Sequence, residues 1–209
     1  MIDFTRRLLF IHIARTGGTS IEYAFTGTDW CYIDLPTKHL SVSQARRHYG
    51  ERVWNGFTKF AVVRNPWDRL VSMWATRSWH FTLDLAAPCD MKSFLAQLRP
   101  HPNEKYQSLQ YHEILDEPLD YVLRFENLQS DLTRMLVERG LPPVALPHAE
   151  ATHRGHYADY YTPETAAIVR AMFREDIARY GYSFEAAAPA WSIAGARPPL
   201  RSGTVPARR

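Results

Sequence analysis

The sequence predicts an α/β domain built on a mostly parallel sheet with helices over both faces. Strand-length apolar runs occur at Leu8–Ile13, Thr58–Val63 and Tyr121–Phe125. Each is followed by turn or cap residues and then by a helix-compatible stretch, the alternation that buries a parallel sheet between helices. There is no internal repeat. A chain of 209 residues, 45% hydrophobic and 13% aromatic, is large enough for one substantial core.

Taken in order, Leu8–Ile13 reads as a buried strand rich in β-branched residues, entered directly from a polar start, Met1–Arg7. The small, glycine-rich stretch Thr16–Ser20 then turns the chain into a helix from Ile21. Ser41 and Gln44 have the spacing of a capping box, opening a helix that Gly50 is expected to close. Thr58–Val63 is the next strand, and Asn65, Pro66 and Asp68 are cap and first-turn residues for the helix after it. Leu70, Val71, Met73 and Trp74 give that helix an apolar face. Further along, Asp90–Leu98 reads as a capped helix stopped before Pro100, and Leu128–Arg139 as one ending at Gly140. A last helix is expected from Thr162-Pro163-Glu164 to about Tyr180, with Gly181 beyond it.

The turn after the first strand carries the chemistry. Gly17 and Gly18 permit a tight backbone path that directs successive N–H groups inward, and Thr19 and Ser20 add hydroxyl donors. With the positive end of the new helix, such a turn receives a phosphate-like group. A Walker loop for MgATP requires Lys immediately before the Thr or Ser. Here Gly18 stands in that place, and the nearest cation, Arg15, precedes the glycines. That displacement suits a phosphosulfate, whose transfer needs no metal bridging adjacent phosphates.

With its Phe10-Ile11-His12-Ile13-Ala14-Arg15-Thr16-Gly17-Gly18-Thr19-Ser20, the loop resembles the 5′-phosphosulfate motif of the P-loop sulfotransferases, carbohydrate-type branch. Those enzymes have a P-loop-containing three-layer fold and use 3′-phosphoadenosine 5′-phosphosulfate (PAPS), releasing adenosine 3′,5′-bisphosphate without a metal. Two positions depart from the usual motif, Ala14 for Pro and Arg15 for Lys. Arg keeps the charge that stabilises the leaving group but, always protonated, delivers no proton. Arg64-Asn65-Pro66-Trp67-Asp68-Arg69-Leu70-Val71-Ser72 resembles the family's 3′-phosphate motif, which implies that Arg64 and Ser72 clamp the 3′-phosphate. Arg124–Leu128 and Tyr160–Glu164 also look like family segments, so the resemblance spans roughly 7–184.

The implied activity is transfer of a sulfuryl group from PAPS to a hydroxyl of a glycan, lipid-linked sugar or small alcohol. The alternatives are a P-loop kinase-like phosphotransferase, which would share the fold but use only the first motif, and an inactive nucleotide-binding protein. Arg15 is the expected electrostatic catalyst, and Thr16, Gly17, Gly18, Thr19, Ser20, Arg64, Ser72 and Arg154 the expected cofactor contacts. Sulfuryl transfer also needs a group that takes the acceptor's proton. His39 lies between the two phosphate motifs, where uronyl-type members place a catalytic His, and Glu22 is its competitor. On that assignment the rate falls as pH drops through an imidazole pKa of about 6.5. Glu22, Lys38, Tyr106 and Gln107 are candidate acceptor contacts, while His12 reads as a packed strand residue. Trp30, Tyr32, Trp67, Trp74 and Trp79 could stack on adenine or sugar, although more of them are expected in the core.

Composition limits other readings. The net charge is +3, but residues 186–209 carry Arg197, Arg201, Arg208 and Arg209 and no acid, leaving the remainder at −1. The domain is therefore expected over residues 1–185, with 186–209 a disordered Ala/Pro/Arg tail. No nucleic-acid signature accompanies the basic residues. His153 and His156 lack Cys or carboxylate companions at zinc spacing. Cys31 and Cys89 form no C-x-x-C and imply reduced thiols rather than a disulfide framework. The absence of a leader or a membrane-length apolar run favours a soluble, cytoplasmic, bacterial-type relative of unassigned oligomeric state.

Overall fold

The computed structural model describes residues 1–76, 90–98, 108–147 and 154–184. The calls on Tyr106, Gln107, Trp79, Cys89 and the 186–209 tail lie outside the described residues.

A four-stranded sheet has the order β1-β2-β3-β4, with β1 Ile2–Asp3, β2 Leu8–Ile11, β3 Thr58–Val63 and β4 Tyr121–Arg124. β1 runs antiparallel to β2; β2, β3 and β4 are parallel. The register pairs Ile11 with Ala61 and Val63 with Arg124, so the chain leaves all three parallel strands at one edge of the sheet. Successive strand residues point to opposite faces. All four residues of β2 and five of the six in β3 are buried, so both faces of the central strands are covered. The α/β architecture expected from the sequence is present.

Helix α1 (Gly18–Thr26) follows β2, short α2 (Cys31–Asp34) precedes a 3₁₀ turn, and α3 (Val42–Gly56) leads to β3. The Ser41–Gln44 capping box forms as expected. Gly50, at φ 77° and ψ 164°, breaks the helical geometry as expected, and a second helical stretch follows it directly to Gly56. The chain re-enters helical geometry after this left-handed glycine and carries Trp54 into the core. Helix α4 (Pro66–Thr76) begins with the Asn65 side chain accepting from the Trp67 N–H at 3.1 Å. Helices α5 (Met91–Gln97) and α6 (Tyr111–Ile114) precede β4, and α7 (Leu128–Glu138) follows it.

The final helix is two helices, α8 (Pro163–Met172) and α9 (Arg174–Tyr180), broken at buried Phe173. Asp176, on α9, accepts from the N–H groups of Tyr111 and His112, capping α6 from another element. One core lies on the sheet; a second joins Trp67 and Leu70 of α4 to Phe94 of α5 and Val169 of α8. Trp67 is fully buried and its indole N–H donates to the Ala166 carbonyl at 3.0 Å. Among the described residues no helix is long and apolar enough to cross a membrane.

Candidate active site

The site is assembled at the edge where β2, β3 and β4 end, the usual place for ligands in open α/β sheets. After β2 the chain passes through Arg15 at φ 66° and Gly17 at φ 82°, both left-handed, before entering α1. Glycine adopts such angles freely; Arg does so at a conformational cost, and strain of this kind is concentrated at functional sites. The glycines are also required sterically. A Cβ on Gly18 would come within 2.2 Å of the His12 ring, and one on Gly17 would lie 2.9 Å from Leu128 and 3.0 Å from Phe125. The turn is thus held between the β2 end and the segment after β4. Thr16 is fully buried and donates its hydroxyl to the Ile13 carbonyl at 2.8 Å, so its side chain braces the loop. Arg15, Gly17, Thr19 and Ser20 are the partly exposed members.

Arg15 joins the two phosphate-type segments. Its side chain donates from Nε and Nη2 to the Ser72 hydroxyl at 3.2 and 3.1 Å, and its carbonyl accepts from Arg64 Nη1 at 3.0 Å. Arg64 is 7% exposed. Its Nε pairs with Asp68 at 2.7 Å, and its guanidinium lies over the Phe125 ring, 3.9 Å from the centroid. Arg154, brought from the far side of the chain, pairs with the other oxygen of Asp68. Burial would raise the Asp68 carboxyl, but Arg64 and Arg154 outweigh it and lower its pKa. Burial in turn lowers the Arg64 pKa, against the opposing pull of Asp68. Two guanidiniums therefore share one ionised carboxylate, with Arg15 alongside. This leaves a positive surplus next to the N-terminus of α1, suited to a ligand with more than one anionic group.

The expected acceptor contacts Glu22 and Lys38 are not on an acceptor-facing surface. Glu22 is fully buried and Lys38 is 6% exposed. Glu22 accepts from Lys38 Nζ at 3.0 Å and from the Trp30 N–H at 3.1 Å, and its other oxygen lies 2.5 Å from His12 Nδ1. Lys38 also pairs with Asp29. Burial would raise the Glu22 carboxyl, yet His12, Lys38 and the Trp30 amide bring it down to about 2. His12 is accordingly a member of a buried polar cluster rather than a simple strand packing residue. His39 adjoins that cluster, with its ring 4.7 Å from the His12 ring and Nδ1 3.1 Å from the His12 carbonyl. Burial, followed by the neighbouring His12, pushes the His39 pKa down to about 3, away from the value near 6.5 expected from the sequence.

Three participants were not legible as such. Asp68 reads from the sequence as a helix-start acid, but in the fold its carboxylate turns back to Arg64, four positions earlier and just before α4. Phe125 offers no local signal, because its partners Gly17 and Arg64 are distant in sequence. Arg69, 1% exposed, donates to the Ala14 carbonyl at 3.0 Å and the Leu109 carbonyl at 2.7 Å, anchoring the loop to the segment before α6. Of the aromatics, Trp30 and Trp67 are core residues and Tyr32 is 80% exposed. A shallow cleft lined by Asn55, Thr58, Lys59, Asp120 and Arg139 lies at the opposite, amino-terminal end of β3 and β4.

Fold and site together define an α/β protein that brings two anion-type segments, each placed after a parallel strand, onto one sheet edge. Residues 1–80, which hold both segments, match the family model described as Sulfotransferase family. That match bears out the resemblance read from the motifs and supports a sulfotransferase. Searches of curated proteins and of solved structures returned no match.

Proposed function

We propose that the chain transfers the sulfuryl group of PAPS to a hydroxyl of a carbohydrate or other small acceptor. The observation that carries this reading is the double attachment of Arg15, to Arg64 through its carbonyl and to Ser72 through its side chain. It fixes the turn that suits a 5′-phosphosulfate beside the residues that suit a 3′-phosphate. Gly18 in the Walker Lys position leaves a kinase reading without its central cation.

The residues present fit such a donor: a left-handed glycine turn, a helix N-terminus and a surplus of guanidiniums. Bound PAPS supplies an activated sulfuryl group. The α1 N-terminus and Arg15 are placed to stabilise charge developing on the 5′-phosphate as its bond to sulfur breaks. Arg64, with Ser72, is assigned to the 3′-phosphate, and Arg154, through Asp68, to the same end of the donor. His39 is the assigned base. A carbonyl can only accept, so the bond to the His12 carbonyl places the ring proton on Nδ1 and makes Nε2 the accepting nitrogen. The acceptor's O–H proton passes to Nε2 as its oxygen bonds to sulfur.

Calorimetric titration with adenosine 3′,5′-bisphosphate and with MgATP, together with transfer from labelled PAPS to glycan extracts, tests the proposal. Tighter binding of the bisphosphate without Mg²⁺, and label entering glycan, is the expected result. Tighter binding of MgATP would overturn it.

A further inference from the structure

The side-chain cluster formed by His12, Glu22, Asp29 and Lys38 has no place in the mechanism above, although it holds four ionisable residues that are each 9% exposed or less. It joins three consecutive pieces of the site. His12 stands at the end of β2, Glu22 on the helix that receives the glycine turn, and Lys38 immediately before His39. Glu22 is the hub, since one of its oxygens meets His12 Nδ1 and the other meets Lys38 Nζ. Both arms lead to His39: the His12 ring packs against the His39 ring while its carbonyl meets His39 Nδ1, and Lys38 is the adjoining residue in the chain.

We propose that Glu22 is a positioning residue for His39: by holding the His12 ring with one oxygen and the Lys38 ammonium with the other, it fixes the tautomer in which His39 Nδ1 donates to the His12 carbonyl and Nε2 accepts the substrate's proton. This rests on the reading of His39 as the base. Glu22 cannot be that base itself, because it is fully buried with both oxygens engaged. In the step concerned, the acceptor O–H bond breaks and its proton moves to His39 Nε2. The acceptor oxygen bonds to sulfur, and the bond from sulfur to the phosphate oxygen breaks with its electron pair left on the phosphate. With Lys38 protonated and Glu22 and Asp29 ionised, the cluster beneath His39 carries one net negative charge when His12 is neutral. That net negative charge attracts the imidazolium that forms, which an apolar bed would not do.

Glu22→Gln is the informative variant. Its amide offers one oxygen and cannot accept from His12 and Lys38 as the carboxylate does. Heteronuclear NMR of the imidazole rings, with His39 assigned from His39→Asn, reads the tautomer directly; kcat and the Kd for adenosine 3′,5′-bisphosphate are measured alongside. The expected result is a single Nδ1–H tautomer in the wild type and a mixture in Glu22→Gln. The variant's kcat should fall ten- to a hundredfold, with Kd changed less than twofold. In a His39→Ala background, Glu22→Gln should cost little more.

An Nε2–H tautomer of His39 in the wild type overturns the proposal, and that measurement stands even if Glu22→Gln does not fold. Equal losses in kcat and binding with the tautomer unchanged would also overturn it, as would full activity in the variant. If the wild type transfers no sulfate, the sulfotransferase reading fails, while the ring spectra still decide whether Glu22 fixes His39.

Discussion

Arg15 donates to the hydroxyl of Ser72 through both Nε and Nη2, at 3.2 and 3.1 Å, across a separation of 57 positions. The residue proposed to meet the leaving group is thereby tied to α4 through Ser72, one of the two residues proposed for the 3′-phosphate. Arg15 does this from a left-handed backbone, so its side chain is retained at a conformational cost. Arg15→Ala is expected to lower kcat by about 10²–10³, the scale of losing one preorganised donor. Arg15→Lys should keep much of the activity. Arg15→Gly separates the two roles: relief of the positive φ should offset part of the lost stability while activity falls as in the Ala variant. Steady-state rates and thermal melts of the three variants check this.

Arg64 holds the Arg15 carbonyl, Asp68 and the Phe125 ring together. Arg64→Ala should weaken adenosine 3′,5′-bisphosphate by roughly 1.5–3 kcal/mol, the worth of a charge-assisted contact. Its effect on AMP, which lacks the 3′-phosphate, should be small. Titration of both nucleotides makes the readout a ratio, which a general loosening of the site would leave unchanged.

Glu22 predicts an acid limb of stability. Its folded pKa, about 2, is below the 4.5 of the free carboxyl. As pH falls the unfolded chain therefore takes up the proton first, and stability is whole above about 5 and declines towards pH 2. Thermal midpoints recorded from pH 7 to 2.5 should show that decline, and Glu22→Gln should flatten it from a lower starting value.

With His39 as the proposed base the working species is the neutral ring, and the pKa of about 3 keeps it neutral down to mildly acidic pH. The rate should therefore stay level from pH 8 to 5 instead of falling near 6.5. A sigmoidal fall centred near 6.5, absent in His39→Ala, would show the site holding His39 in a more hydrated state than this structure does.

Gly18→Ala should be severely disruptive, because its Cβ would occupy the space of the His12 ring. Gly17→Ala, with positive φ and Phe125 and Leu128 at 2.9–3.0 Å, should cost on the order of 1–3 kcal/mol. Chemical denaturation of both variants tests the ranking, with Gly18→Ala the lower.

What the sequence disclosed was mostly local. Thr58–Val63 forms the strand expected, and Ser41 with Gln44 forms its capping box, because each is written in neighbouring residues. β1 escaped notice because two residues show no periodicity; only pairing with Leu8 and Leu9 makes Ile2–Asp3 a strand. The break at Phe173 escaped for a related reason, since helix propensity continues through a turn that tertiary packing interrupts. In the site, the glycine turn and Arg64 were legible from motif spacing. The burial of Glu22 and Lys38 was not, because helix position alone does not say what lies above a side chain.

Phe125 packs against the Gly17 turn and under the Arg64 guanidinium, yet it comes after β4, beyond the stretch that holds both anion segments. During synthesis, a nascent chain that has emerged only as far as Ser72 has all the signature residues but no floor beneath them. β3 then still lacks its β4 neighbour. On the proposed function, donor binding is thus a late property of the growing polypeptide, acquired when β4 docks. A fragment ending at residue 80 should carry the family's motifs and bind no nucleotide.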